Sequence, residues 1–464
     1  MKTFKIYKYC LVLLALSLGS CEKDYLEPEV TDNLETELNI NTVSDLQGLV
    51  LGAYDRMNYY TYYGRDYVVF AEVRSDNAFS SGNSGRFTGP AQFFLNATDA
   101  YPTDTWSRIY QVISNANLVI QSEVEDNESV EVKYTKGQAY AIRALAHMDL
   151  LRLYGQQWSG GNLGVPYITT YTDGNSELTE DVLYPSRATV DETWAKIGED
   201  FQTALSMMDP SLDESTPTKI STWAVYALQS RYYLYTEDYA KAAEAAKKVI
   251  DSKQFSVVDA GSYTSAWGGA AANSVFELAL TDADNNGSNG LSYMYNEGNY
   301  GDVEVTQDLY NTYAKNDVRL YLYSKKYDAA EKDTTYRMVG KYSEYSDNIK
   351  VIRYEEVILN YTEALAHLGS SEALTYLNMI PSNRNAAEYT AATLENVLTE
   401  RRKELAMEGH RFFDLVRNEK DIPYVDSRQT YSKSGVAYGS SVLAFPIPRK
   451  EIDANPNIEQ NADY

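Results

Sequence analysis

The stretch that most limits the fold is Trp223–Ile250, WAVYALQSRYYLYTEDYAKAAEAAKKVI. Two runs with helical spacing flank the short turn Tyr235-Thr236-Glu237-Asp238-Tyr239, and alanines sit where two helices must approach closely. A second stretch, Tyr354–Ile380, repeats the layout. Tyr361, Ala364, Leu365 and Leu368 form one apolar stripe, Gly369 stops it, and Ala373, Leu374, Leu377 and Ile380 form the next. Helix pairs of this kind stack, because one pair alone cannot bury its apolar face. The expected class is therefore mainly α, although two unrelated amphipathic hairpins would leave the same marks.

The remaining chain extends this pattern. Ser44 is the expected N-cap of a first helix through Leu46, Leu49, Val50 and Ala53 to about Met57. A tyrosine burst follows, Tyr59, Tyr60, Tyr62, Tyr63 and Tyr67, and then Phe79–Asp104, rich in Ser, Gly and Asn, reads as a long loop. Helical spacing returns at Trp106, Ile109, Tyr110 and Ile113 and again at Ala141, Ala144, Leu145, Met148 and Leu151. Thr189 with Glu192 predicts a capping box for a helix through Ile197, Phe201 and Leu205. Residues 252–350 form a second irregular insert, and a last helix is expected over about Leu394–Arg417 before a tail rich in Pro and Asn.

At the N-terminus, Lys2, Lys5 and Lys8 precede an apolar run that ends Leu18-Gly19-Ser20-Cys21. The run is shorter than the ~20 residues a membrane span needs, so it reads as an export leader that is removed. The Leu-Gly-Ser-Cys ending resembles a bacterial lipobox, which makes Cys21 the lipidated first residue of the mature chain. The expected organisation is a signal peptide over 1–20, an acylated acidic tether over 21–43 and a single domain over 44–464, with halves 44–215 and 216–464.

The net charge is −25, and losing the leader, with three lysines and no acids, makes it −28. Such a surface repels nucleic acid, so no nucleic-acid partner is expected. Cys10 leaves with the leader and Cys21 carries lipid, so the exported body has no disulfide. The 42 tyrosines exceed ordinary usage, and each supplies a flat apolar ring with a polar tip.

Trp223–Ile250 resembles a tetratricopeptide helix pair, and several spaced motifs make the likeness more specific. ERRKELAMEGHRFFDLVR over Glu400–Arg417 and FPIPRKEIDANPNIEQNADY over Phe445–Tyr464 resemble the C-terminal signature of the SusD/RagB family of Bacteroidetes outer-membrane lipoproteins. Glu72–Asn77 is similar to its acidic ExxxDN motif, Gly137–Tyr154 to its Arg-Ala-His helix, Leu163–Tyr167 to its Gly-Val-Pro turn and Tyr354–Ala366 to its Arg-Tyr-Glu helix. The resemblance implies four tetratricopeptide-type helix pairs packed against a loop-rich ligand-binding half. It also implies a non-enzymatic lid over a TonB-dependent SusC-type transporter in the outer membrane, facing the exterior. The cargo would be oligosaccharide, or peptide as in the RagB branch, and a structural lid with little affinity of its own is a third reading.

The sequence offers no zinc helix and no nucleophile elbow, while a glycosidase carboxylate pair stays open, because spacing among 66 acids says nothing about which of them meet. His147, His367 and His410 are far apart, no HExxH helix exists and no serine has glycine at both −2 and +2. Glu404, Glu408, His410, Arg411 and Asp414 look catalytic on paper, but i,i+4 carboxylates near Arg401 and Arg411 read as a buried salt-bridge network. His147 reads as a structural histidine. Asp282–Gly287 starts like an EF-hand loop, but Tyr293 stands where the bidentate Glu is required, so neither metal nor cofactor is expected.

A saccharide site needs rings to stack on and planar polar groups to grip hydroxyls. Trp106, Trp194 and Trp223 fall in helical pattern and belong to the expected core, leaving Trp158 and Trp267. The candidate ligand residues are Asp76, Arg86 and Asn96 as grips, and Phe94, Trp267, Tyr293 and Tyr295 as platforms. They are chosen by residue type inside the two loop regions that the resemblance points to. The flanking glycines of Trp267 suggest a ring with one open face, and Tyr59–Tyr63 is a second candidate surface.

Overall fold

Helix α1 (Val43–Asn58) starts at a capping box: the Thr42 hydroxyl accepts from the Asp45 amide while the Asp45 carboxylate accepts from the Thr42 amide. Ser44, the expected cap, lies inside the first turn, because only Thr42 has an acid three residues on. A computed structural model describes residues 40–172, 178–296, 298–329 and 332–464, and Thr42–Tyr464 form one compact unit. The leader, Cys21 and the tether up to residue 39 lie outside the described residues.

After α2 (Asp66–Val73) the expected long loop is partly ordered. It holds the short strand β1 (Ala78–Ser80), the single-turn helix α3 (Thr88–Ala91) and the start of α4 (Ala100–Gln121). Pro102 sits in the first turn of α4, where its missing N–H costs nothing, so the helix begins six residues before Trp106.

Helix α5 (Val130–Tyr154) is buried along nearly its whole length and is flanked by α4 and by α7 (Val190–Met207); the short helix α6 (Glu180–Leu183) precedes α7. Gly137 lets α5 and α7 touch, since a Cβ there would stand 2.5 Å from Met208 Cγ. Arg143 on α5 makes a bidentate pair with Asp200 on α7 and donates to Asn117 on α4, so one side chain joins three helices. The capping box at Thr189 and Glu192 starts α7 as the spacing predicts.

The opening stretch forms α8 (Thr222–Tyr235) and α9 (Tyr239–Ser252), which pack on each other, and Ala242, Ala243, Ala245 and Ala246 of α9 are buried. Beyond the insert, α12 (Tyr354–His367) packs on α9 and on α13 (Ala373–Ser382). The insert supplies α10 (Leu291–Tyr295), α11 (Gln307–Asn311) and five short strands: β2 (Ser274–Leu278), β3 (Val303–Val305), β4 (Tyr323–Asp328), β5 (Asp333–Met338) and β6 (Ile349–Arg353). Antiparallel pairs β2/β6 and β4/β5 order it internally, and β1/β3 joins it to the loop after α2. The fold is mainly α, with a helical half and a loop-rich half.

The predicted last helix is interrupted. α14 (Leu394–Glu404) and α15 (Arg411–Val416) are separated by a turn in which Met407 and Gly409 take φ of +67° and +87°. Glu404 and Glu408 therefore do not share one helix face, yet both carboxylates converge on Arg353, and the expected buried network is real. The tail beyond α15, which includes α16 (Arg449–Ala454), is locked by Asn461, whose amide donates to the Tyr154 and Phe445 carbonyls while its oxygen accepts from Arg187.

His147 is structural, as its position between Ala144 and Leu151 suggests. Nδ1 meets the Arg143 carbonyl at 3.0 Å, Nε2 accepts from the Ile168 amide at 3.0 Å, and Tyr167 stacks on the ring at 3.8 Å. Protonating Nε2 would break the Ile168 bond, and burial pushes the imidazole down from 6.5 to about 3. The unfolded chain thus binds the extra proton first as pH falls, so this group costs stability below pH 6.5, at most about 1.4 kcal/mol per pH unit. Thermal melts of His147→Gln should show a lower Tm at neutral pH but a shallower fall between about pH 6.5 and 4 than the parent chain.

Candidate functional site

The β1/β3 pair brings the loop after residue 80 against the middle of the insert. The Ser81 amide donates to the Asp302 carbonyl at 2.7 Å, and the Asp302 carboxylate accepts from the Ser84 amide at 2.7 Å and the Ser84 hydroxyl at 2.6 Å. Ser84 in turn accepts from Arg86, whose guanidinium lies 4.3 Å over the ring of Tyr300. Tyr300 meets Tyr293 edge-on at 5.4 Å, and Tyr293 stacks on Tyr345 at 5.3 Å and 25°, with a hydrogen bond between the two hydroxyls. The outcome is a surface row, Arg86, Tyr300, Tyr293 and Tyr345, with Tyr345 43 % exposed and the others half-buried.

Two of the seven loop candidates, Arg86 and Tyr293, belong to this row. Phe94 is 67 % exposed and Asn96 is exposed on the same loop, where the Asp99 carboxylate accepts from the Asn96 amide. The other three lie inside the protein. Asp76 is buried against Arg411, which reaches its two oxygens at 2.6 and 2.8 Å, and Arg402 adds a third contact, so it is a scaffold pin rather than a sugar grip. Burial alone would raise its pKa, but the two arginines outweigh this and hold it below the usual carboxylate range.

Tyr295 is 1 % exposed and donates to the Met407 carbonyl. Tyr293 and Tyr295 are two apart on α10, which points them to opposite sides, so only one could face outward. Trp267 is also corrected: it is 3 % exposed, with Lys341 4.4 Å and Arg353 5.3 Å over its ring. Its glycine neighbours leave room on the backbone side, and the basic residues of the buried network cover the ring. Trp158 is buried as well, whereas Trp223, expected in the core, is half-buried.

Tyr300 and Tyr345 were not singled out as site residues by sequence reasoning. The turn-rich KYSEYSDN around Tyr345 was the available signal, since an aromatic between Ser, Glu and Asp tends to stay at the surface. The tyrosine burst divides. Tyr62 and Tyr67 are buried and donate to Asp149 at 2.6 and 2.7 Å, while Tyr59 and Tyr60 stay outside with Arg108 and Arg65 over their rings. In the loop 282–287 the Asn285 amide donates to the Thr281 and Asp282 carbonyls, and no acidic cluster that could hold a metal ion occurs among the described residues.

Trp267→Ala should cost about 3–5 kcal/mol in chemical denaturation, as for a fully packed tryptophan. Tyr345→Ala, at the surface, should stay within about 0.5 kcal/mol of the parent.

Two family models cover most of the chain: one described as starch-binding associating with outer membrane matches residues 24–234, and the SusD family model matches residues 321–464. A SusD-like protein, P38, of Formosa agariphila is 25 % identical over the full length of both chains. Among solved structures, a SusD superfamily protein of Bacteroides thetaiotaomicron superposes with a TM-score of 0.80 at 28 % identity, covering 90 % of this chain and 99 % of the other. A candidate sugar-binding protein of Bacteroides vulgatus gives 0.79 at 28 % identity over 92 % and 99 %. The described architecture, the spaced motifs and these full-length similarities agree, and the chain belongs to the SusD/RagB family, a family of binding proteins rather than enzymes.

Proposed function

We propose that this chain is an outer-membrane lipoprotein that captures oligosaccharides at the row formed by Arg86, Tyr300, Tyr293 and Tyr345 and delivers them to a TonB-dependent SusC-type transporter. The observation that carries the reading is the Tyr293–Tyr345 stack: two packed rings at the surface, pre-set by their shared hydroxyl bond, offer an apolar face to a sugar with little ordering cost. Arg86 and the neighbouring Asn83 amide supply planar donors beside the rings. The starch-binding description of the matching family model supports the ligand class. Delivery, lipid anchoring and outward orientation rest on the family resemblance and on the lipobox at Cys21, and Phe94 and Asn96 are secondary contacts on the same loop.

Calorimetry against a panel of neutral polysaccharides and a tryptic peptide mixture tests the ligand. Glycan binding should weaken about tenfold or more in Tyr293→Ala/Tyr345→Ala, the scale for losing a packed aromatic anchor. Glycan silence together with peptide binding would overturn the reading in favour of peptide capture. Separately, Cys21→Ser should move the protein from the membrane fraction to the soluble exported fraction, and continued membrane retention would sink the anchor.

A further inference from the structure

A cleft of about 590 Å³ lies elsewhere on the molecule and shares no residue with the tyrosine row. Four separate stretches meet there: the turn after α5, the start of α7, the end of α8, and the segment from the end of α15 to Tyr438. Tyr235 forms its floor, with Trp158 at 6.1 Å and Trp194 at 5.9 Å. The walls are polar. Gln157 and Asn162 contribute amides, and Asp191, Glu237 and Glu419 contribute exposed carboxylates.

The electrostatics limit what can enter. Among the described residues Arg417 is the one cation in the lining, and its guanidinium is committed to Glu363 and Asp414. Three acids with no ion pair among the described residues would repel an anionic ligand, and Glu237 and Glu419 together already push the Tyr438 hydroxyl upward after burial has begun to do so. Carboxylates and amides beside the half-buried Tyr235 ring match a ligand that brings many hydroxyl donors. Gln157 is held in place by its Nε2, which donates to the Leu151 carbonyl.

We propose that this cleft is a second saccharide subsite, for a neutral oligosaccharide, independent of the tyrosine row. It shares its ligand class with the function proposed above, but none of its residues.

Two residues make the test clean. Glu237 and Glu419 both hold left-handed backbone, at φ of +57° and +54°, where glycine is unstrained. Glu237→Gly/Glu419→Gly therefore removes two carboxylates from the cleft while relaxing the backbone, so its Tm should not fall. The exposed Ala195 on α7 lines the same cleft, and Ala195→Trp should fill it. The readout is tryptophan fluorescence during titration with maltohexaose, laminarihexaose and xylohexaose, in full-length protein carrying Tyr293→Ala/Tyr345→Ala to silence the row, which has no tryptophan.

A saturable signal is expected with at least one of these sugars, weakened about tenfold or more by Glu237→Gly/Glu419→Gly, the scale of losing hydrogen bonds to charged acceptors, and abolished by Ala195→Trp. No signal with any of the three, or a signal unchanged in the cleft variants, would each overturn the proposal. If the tyrosine variants bind as well as the parent while the cleft variants lose the fluorescence change, the cleft stands and the row does not.

Discussion

A buried charge network holds the loop-rich half to its helices. Arg319, Lys341, Arg353 and Arg384 face Asp317, Glu355, Glu400, Glu404 and Glu408, all with almost no exposure. Glu404 is its centre: Arg384 reaches it at 2.7 Å, Arg353 at 2.9 Å and Arg319 at 3.1 Å. Burial alone would raise its pKa, but these arginines reverse the sign and hold the carboxyl well below its usual range. Removing one member would leave a charge without a partner in low dielectric, at a cost of about 3–5 kcal/mol. The network draws on the segment before β4, the β5–β6 connection, the β6–α12 junction, the end of α13 and α14, so elements distant in sequence meet at one point. Trp267 covers it from above, which is why that ring serves packing.

A second set ties the two halves of the chain together. Glu72 accepts from the Gly409 and His410 amides and from the Asn77 side chain, while Arg402 and Arg411 clamp Asp76. Gly409 is required at the contact, since a Cβ there would lie 3.1 Å from Val68 Cα in a backbone conformation that side chains avoid. The acidic motif and the last-helix motif are thus two sides of one joint. These two family motifs are therefore scaffold, and the joint they form holds the loops around it in place.

The tyrosine excess has the same double use. Tyr62, Tyr67 and Tyr154 put their rings in the core and their hydroxyls on buried acceptors, whereas Tyr293, Tyr300 and Tyr345 pack against one another at the surface. A residue with a ring and a polar tip suits both places, so tyrosine count alone carries no information on which copies bind.

Helix pairing at Trp223–Ile250 and Tyr354–Ile380, the capping box at Thr189, the structural role of His147 and the ionic role of Glu404 and Glu408 were all legible in the chain itself. Each depends on spacing within a few residues, or on a charge pattern that can be stable only when paired. The break of the last helix at Met407 and Gly409, the burial of Asp76, Tyr295 and Trp267, and the joining of Arg86 to Tyr293, Tyr300 and Tyr345 were decided by tertiary structure. Those outcomes turn on which side of a loop meets a partner distant in the sequence, as when Ser84 finds Asp302. Local spacing sets which faces exist, but only the assembled core determines which of them water still reaches.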